Sequence, residues 1–353
     1  MIEYSEHPLA SEMETRWDAF VLNAPHGSLF QSGLWSRSTG GARFGRLWAE
    51  EGGEIVLAML LERLRPVPIA GSRGLALRGP VVAELGALER HLPAILDTLR
   101  RRGYGAITLN PYWPGADAER VRSLLGALGF EIVQTPGSIH DCSVQVDLAQ
   151  DLDAIKSSFR ATTRHEIDRA AKRGIRCEVV TAKPDYQALL LIMQRMFRAK
   201  GLPAPDARMM HALWDTVFAP GRFGRVIVTK DEQGDAPLGG IVLLVHGERC
   251  VYTWGATDPE RRAGQYAGQL AHWRGMAWAK ARGCACYDMG GYCEDAPPES
   301  PMDKINRFKQ GFSKQVVRFV PLHRRYLRPW SRPVLRAVET WIVPHVRALR
   351  ADH

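Results

Sequence analysis

The feature that most constrains this chain is an internal repeat. Arg102-Gly103-Tyr104-Gly105-Ala106-Ile107-Thr108-Leu109-Asn110-Pro111-Tyr112 lies over Arg282-Gly283-Cys284-Ala285-Cys286-Tyr287-Asp288-Met289-Gly290-Gly291-Tyr292. Gly45-Arg46-Leu47-Trp48-Ala49 lies over Gly224-Arg225-Val226-Ile227-Val228. Residues 53–61 lie over a stretch that begins at 240. The offset stays at about 180 residues, the scale of a duplicated domain. Each half reads as strand, hairpin, strand, long helix, strand and loop. A helix crossing between strands favours an α/β layer with some parallel pairing. The expected division is 1–150, 151–320 and a tail of 321–353, a reasonable fit to 353 residues.

Local patterns fill in these halves. A first helix includes residues 17–21 and is broken by Asn23-Ala24-Pro25-His26-Gly27. Strands are predicted at 45–50 and 54–63, with a glycine-rich loop over 71–80. Leu88, Leu92, Ile95, Leu96 and Leu99 give an amphipathic helix over 85–102 that is closed by Gly103. A strand follows at 106–110 and a short helix at 121–128. Leu152, Ile155, Phe159, Thr163, Ile167 and Ala170 form one apolar stripe, which predicts a single basic helix over 151–174. Further helices are expected at 188–200 and, capped by Asp206, at 207–218.

The net charge of +9 comes mostly from arginine. It favours an anionic partner: RNA, a phosphorylated small molecule or a membrane surface. The plain alternative is a soluble protein from an arginine-rich proteome. No apolar run is long enough to span a bilayer, and residues 1–6 do not begin a secretory signal. The six cysteines show no CxxC and no histidine pair has ligand spacing, so no metal or redox motif is present. The expectation is a cytoplasmic protein with free thiols.

One stretch concentrates chemistry. Cys284, Cys286 and Asp288 alternate with Ala285, Tyr287 and Met289 as on a short strand, which Gly290-Gly291 then stops. Residues 294–300 form a polar, proline-rich loop. Ile305, Phe308 and Phe312 follow at helical spacing among Lys304, Arg307, Lys309 and Lys314. The plain reading is a strand, a loop and a solvated basic helix; the sharper one is a site.

Four motifs in order sharpen it. Ser28-Leu29-Phe30-Gln31-Ser32-Gly33-Leu34-Trp35, the basic helix around Ser158-Phe159-Arg160, Tyr287-Asp288-Met289-Gly290-Gly291 and Phe308-Lys309-Gln310-Gly311-Phe312 resemble the signatures of the Fem family. These aminoacyl-tRNA-dependent peptidyltransferases build the interpeptide bridges of peptidoglycan. The resemblance covers about residues 15–320. It implies an α/β fold of two tandem acetyltransferase-like (GNAT) domains. No long heptad stretch is present, so the chain is similar to members without a coiled-coil arm.

The implied reaction is attack of an acceptor amine on the ester of an aminoacyl-tRNA, with no covalent enzyme intermediate and no cofactor. The acceptor would be a peptidoglycan precursor, UDP-linked or lipid-linked, and the amino acid glycine, alanine or serine. By resemblance Lys309 supports the developing oxyanion, with Phe308 beside it at the substrate. Asp288 orients the amine, takes its proton or pairs with Lys309 or Arg307. Tyr287 and Tyr292 line the acceptor channel or belong to the core. Arg164 and Arg208 are candidates for phosphate contacts. A monomer touching the inner membrane surface peripherally is expected.

Two rivals remain. A CoA-dependent N-acyltransferase would cradle pyrophosphate at Arg261-Arg262-Ala263-Gly264-Gln265-Tyr266-Ala267-Gly268, where Tyr266 crowds a backbone approach. A non-catalytic protein would bind RNA or membrane through its basic surface. The tail carries Val334, Leu335, Val338, Trp341, Ile342 and Val346 on one face, with arginines around them. It suits an anionic bilayer or a helix docked on the body, and Pro344 interrupts it.

Overall fold

The structure is a computed structural model that describes residues 2–40, 43–133, 141–201, 204–232, 234, 236–261 and 265–337. The chain forms two compact units. The described residues of Met1–Ser36, Gly41–Gln134 and Phe319–His353 make the first, and those of Arg37–Gly40 and Thr135–Arg318 the second.

The chain opens with β1 (Ile2–Ser5), α1 (Ser11–Asn23), a 3-10 turn at Leu29–Gln31, α2 (Gly33–Ser38), β2 (Phe44–Glu51) and β3 (Glu54–Val67). It continues through β4 (Gly71–Leu77), β5 (Val81–Val82), α3 (Leu85–Arg101), β6 (Tyr104–Asn110), α4 (Gly115–Ala127) and β7 (Glu131–Ile132). The glycine-rich stretch predicted as a loop is thus mostly strand. Its glycines serve close packing: a Cβ at Gly74 would lie 2.7 Å from the Leu61 side chain on β3. The apolar face of α3 meets the sheet, with Leu88, Leu92, Ile95 and Leu99 fully buried.

The second unit contains β8 (Cys142–Asp147), α5 (Leu152–Ser158), α6 (Ala161–Lys172), β9 (Arg176–Val179), α7 (Lys183–Ala199) and α8 (Ala207–Leu213). A π-helical turn at Trp214–Phe218 leads to β10 (Gly224–Lys230), β11 (Pro237–His246), β12 (Arg249–Thr257) and α9 (Ala267–Ala281). Then come β13 (Cys286–Gly291), α10 (Pro301–Lys309) and β14 (Val316–Arg318). The chain returns to the first unit with β15 (His323–Tyr326) and α11 (Ser331–Ala337).

The first sheet has the order β1-β2-β3-β4-β6-β15-β7, with β5 beside β3; the second runs β14-β8-β13-β12-β11-β10-β9. The repeat is visible as β2-β3-β4-α3-β6 against β10-β11-β12-α9-β13. In both, the last two strands are parallel and joined by the long helix.

Two expectations about boundaries change. The first unit ends at Gln134 rather than 150, because β8 pairs with β13 and β14. Residues 321–337 are no separate tail, because β15 inserts between β6 and β7. Val338, Trp341, Ile342, Pro344 and Val346 lie outside the described residues. The expected helix over 151–174 is two helices. Phe159 leaves the helical path at φ −67°, ψ 154° and lodges among Trp273 and Phe312, with ring centroids 5.7 and 5.2 Å away. The apolar stripe continues across the break, so periodicity alone does not reveal it. The six cysteines are free. No helix among the described residues is long and apolar enough to cross a membrane.

Gln31 ties the strands of the first unit together. Its buried amide donates to the carbonyls of Leu60 (3.1 Å) and Leu77 (2.8 Å) and accepts from the Leu60 N–H (2.8 Å). Gln31→Leu keeps the volume but leaves three buried backbone groups unpaired. It should cost about 2–4 kcal/mol of stability and lower the melting temperature of the first unit. An unchanged melting curve would assign the residue no structural role.

Candidate active site

The site begins where a strand pair comes apart. In the first unit, parallel β4 and β6 stay in register from Arg73 opposite Ala106 to Leu77 opposite Asn110. In the second, β12 and β13 pair only from Arg249 opposite Cys286 to Val251 opposite Asp288. Beyond that point β12 continues beside β11 while β13 bulges against β8 between Asp288 and Gly291. Gly290 enables the bulge with φ +72°, a backbone region most side chains disfavour. A Cβ there would also lie 3.0 Å from the Tyr252 carbonyl and 3.9 Å from Lys309 Nζ.

Asp288 is fully buried at this divergence. Its carboxylate accepts from Ser143 Oγ (3.0 Å), Gln145 Nε2 (3.1 Å) and the Gly290 N–H (2.7 Å). Two neighbouring positions on β8 and the bulge itself therefore fix its orientation. Lys309, the last residue of α10, is 7 % exposed, and its ammonium donates to the Gly291 carbonyl. Burial pulls its pKa down to about 8, and the negative charge of Asp288 opposes the shift. The result is a mostly desolvated cation beside a fixed carboxylate, able to stabilise negative charge or give up a proton near neutral pH.

Aromatic side chains wall this site. His272 of α9 shares a hydrogen bond of 3.0 Å with the Tyr287 hydroxyl. Its ring lies 4.6 Å from Tyr252 and 5.5 Å from Phe308 by centroid. Burial, reinforced by the Lys309 cation, holds the His272 pKa down at about 3. The imidazole is thus neutral at neutral pH, where Lys309 is charged, and it adds no competing cation there.

Phe308 separates this wall from an open cavity of about 340 Å³. Arg160 contributes from the cap before α6, Thr163 and Glu166 from α6, Gln269 from α9, and Lys304 and Arg307 from α10. The kink before α6 positions Arg160, whose N–H donates to the Gly311 carbonyl at 2.9 Å. Glu166 accepts from Gln269 Nε2 at 3.2 Å. Arg307 is shared with Glu299 (2.7 Å) and Asp303 (3.1 Å). Arg160 and Lys304 give the rim its positive balance, which suits an anionic ligand with a planar group against Phe308.

The structure brings Asp288, Lys309 and Phe308 together and sorts the other expected residues. Tyr292 is half-buried near them, its hydroxyl accepting from Gln310 Nε2 at 3.0 Å. Tyr287 is wholly buried under α9 and belongs to the core, not to a channel wall. Arg164 braces the helix break: one guanidinium nitrogen donates to the carbonyls of Ser157 and Phe159. Arg208 is exposed on α8, which leads into the turn against β10, three strands from β13. Neither Arg164 nor Arg208 lines the cavity, whereas Arg160 and Lys304 do. Ile305 is 36 % exposed and does not continue the apolar face of Phe308 and Phe312.

At the turn read for pyrophosphate, Arg262, Ala263 and Gly264 lie outside the described residues. Arg261 pairs with Asp231, and Tyr266 precedes α9 with φ 52° and ψ 28°. Glu166, Gln269 and His272 were not singled out from sequence. A histidine within an apolar helix is the one trace of them there. No group of side chains among the described residues is arranged to hold a metal.

Comparisons with known proteins bear on the fold. Residues 157–309 match the family profile described as an acetyltransferase (GNAT) domain. Among solved structures, FemX aligns with a TM-score of 0.80 at 16 % identity, covering 96 % of this chain and 100 % of its own. L-PGS from Bacillus licheniformis aligns at 0.60 and 12 % identity, covering 91 % of this chain and 93 % of that one. A tandem GNAT protein from the clavulanic acid biosynthesis pathway aligns at 0.54 and 15 % identity, covering 93 % and 99 %. No curated protein matches the sequence. The fold is thus that of two GNAT-like units, as in FemX, and the chain has the fold of an acyltransferase.

The depressed pKa of Lys309 has a thermodynamic consequence. Between about 8 and the ordinary lysine value of 10.5, the unfolded chain binds the proton that the folded chain has lost. Stability contributed by this group therefore rises with pH across that window, and the cost is full below it. Lys309→Met should raise unfolding stability over the parent at neutral pH. The advantage should shrink as pH approaches 10.5. Denaturant titrations of both proteins at several pH values test this, and a pH-independent difference would mean Lys309 is not depressed.

Proposed function

We propose that the protein is an aminoacyltransferase. It moves a small amino acid from an aminoacyl-tRNA to an amine of a peptidoglycan precursor or related metabolite. The observation that carries this reading is the buried ammonium of Lys309 where β12 and β13 part, beside a cationic cavity faced by Phe308. The likeness to the FemX fold over nearly the whole chain supports it.

In this reading the 3′ end of the tRNA enters the cavity. A base or ribose lies against Phe308, and Arg160 and Lys304 meet phosphate oxygens. The ester carbonyl then comes close to Lys309. The acceptor amine attacks the carbonyl carbon, forming the C–N bond and placing negative charge on the carbonyl oxygen, which the Lys309 ammonium stabilises. Collapse breaks the ester C–O bond. The proton lost by the nitrogen passes to the departing ribose hydroxyl, directly or through Lys309, so charge is conserved. Asp288 keeps the lysine protonated until that step and orients the amine. The ester is already activated, so positioning and one cation suffice and no acyl-enzyme is required.

A CoA-dependent N-acyltransferase is the second reading, favoured by the GNAT match over 157–309. Tyr266, in a left-handed conformation where a pyrophosphate-binding turn uses a small residue, weighs against it.

The test is transfer of radiolabelled glycine, alanine or serine from charged tRNA to soluble and lipid-linked precursors. Label in an amide product is expected. Turnover with acetyl-CoA or another CoA thioester, and none with any charged tRNA, would replace this reading with the second. Lys309→Ala should lower kcat by about 10²–10³-fold. Arg160→Ala with Lys304→Ala should instead raise KM for the charged tRNA about tenfold and flatten its salt dependence. Equal loss of kcat in both variants would remove the division between donor binding and chemistry.

A further inference from the structure

The first unit carries a small apolar surface with no role in the proposed chemistry. The β3–β4 turn runs Pro66-Val67-Pro68-Ile69-Ala70. Its Ala70 N–H donates to the Pro68 carbonyl at 2.8 Å, leaving Ile69 at the centre with φ +70°. This is a strained γ-turn geometry, and a β-branched residue is the least suited to it. Yet Ile69 is 82 % exposed, so its side chain gains almost nothing from the fold in return. Trp330, just before α11, is 53 % exposed.

The two segments are neighbours. The Ala70 carbonyl and Ser331 Cβ lie 1.7 and 3.2 Å from the point where a Cβ on Gly105 would stand. Ala70 and Leu335 are buried in one cluster with Ala106. Ile69 and Trp330 therefore project from adjoining backbone that is firmly anchored.

Arginines surround them. Arg65 is exposed beside the turn, and Arg332 and Arg336 are exposed on α11. Arg328 lies 5.7 Å from the Trp330 ring, and its guanidinium also reaches the Arg100 carbonyl at 3.5 Å. That contact brings in exposed Arg100 and Arg101. Glu131 pairs with Arg332 and Arg336, and Asp97 with Arg100 and Arg101. Six arginines against two carboxylates leave the surface positive.

We propose that the Ile69 turn and Trp330, within this arginine rim, dock the protein on an anionic lipid bilayer. Two apolar tips ringed by guanidinium groups match the chemistry of a headgroup boundary, where tryptophan settles and arginine meets phosphate. A second copy of the chain fits poorly. Two side chains offer far less area than a stable dimer buries, and two positive rims repel.

Co-sedimentation of the full-length protein with vesicles tests the assignment. One set is phosphatidylcholine alone, and the other contains about one-third phosphatidylglycerol. The protein should bind the anionic vesicles, bind the neutral ones far less, and be released by salt. Ile69→Asn with Trp330→Ser in the full chain should weaken binding about tenfold or more. Asparagine tolerates a left-handed backbone, so the melting temperature should hold or rise. Three results would overturn the proposal: no binding to anionic vesicles, equal binding of parent and variant, or equal binding to neutral and anionic vesicles. Concentration-dependent dimerisation in sedimentation velocity, lost in the variant, would do so as well, by making a second copy the occupant.

Discussion

The site depends on the parting of β12 and β13. Two parallel strands joined by a long helix normally exchange hydrogen bonds along their shared length, and β4 and β6 do so in the first unit. When the second pair stops at Val251 and Asp288, backbone groups past that point need other partners. Asp288 takes the Gly290 N–H and Lys309 takes the Gly291 carbonyl. The carboxylate and the ammonium are thus side-chain replacements for a missing ladder. The repeat explains why the first unit has no equivalent. Thr108 stands at the position of Asp288 and Asn110 at that of Gly290. Asn110 is buried and donates to the Val320 carbonyl at 3.0 Å, closing the corresponding end.

Burying Lys309 costs stability, and its pKa of about 8 expresses that cost. A more exposed lysine would be stable and inert, screened by water. In the proposed reaction the same desolvation that disfavours the cation would strengthen its pull on a developing oxyanion. Asp288 limits the shift enough to keep the group charged at neutral pH. His272 contributes by staying uncharged, held neutral by burial and by Lys309 itself.

The sequence made the repeated frame legible because matching strands and helices recur at a constant offset. It failed where composition and conformation diverge. Residues 71–80 look like a loop because glycines are frequent, but those glycines admit neighbouring strands at close range. Residues 151–174 look like one helix because the buried face continues through the turn at Phe159. Lys309, Asp288 and Phe308, singled out through their motif, lie together in the structure. The arginine that lines the cavity was not singled out for a physical reason: Arg160 and Arg164 sit one helical turn apart with the same chemistry. What separates them is tertiary. Arg160 abuts Gly311 beside α10, whereas Arg164 turns back to satisfy carbonyls left open by the helix break. Glu166 and Gln269 join the cavity only because α6 packs on α9, which spacing within either helix does not encode.

The distribution of positive charge around α9 bears on the donor. A pyrophosphate held by a turn before a helix relies on backbone N–H groups and on small residues that let the anion close in. In this chain Tyr266 occupies the last position of that turn with its ring near Arg169, the guanidinium 5.8 Å from the ring centroid. Arg261 is engaged by Asp231. Among the described residues, Arg160 and Lys304 line the cavity from two other helices, beside the carboxylate-paired Arg307. Side-chain cations reach phosphates over a wider range of positions than a tight backbone cradle does, and they suit a polymer whose phosphates follow one another along a strand. In the proposed reading, side-chain recognition of the donor's phosphates from α6 and α10 is the physical reason to favour a nucleic-acid-borne acyl group over a free CoA thioester.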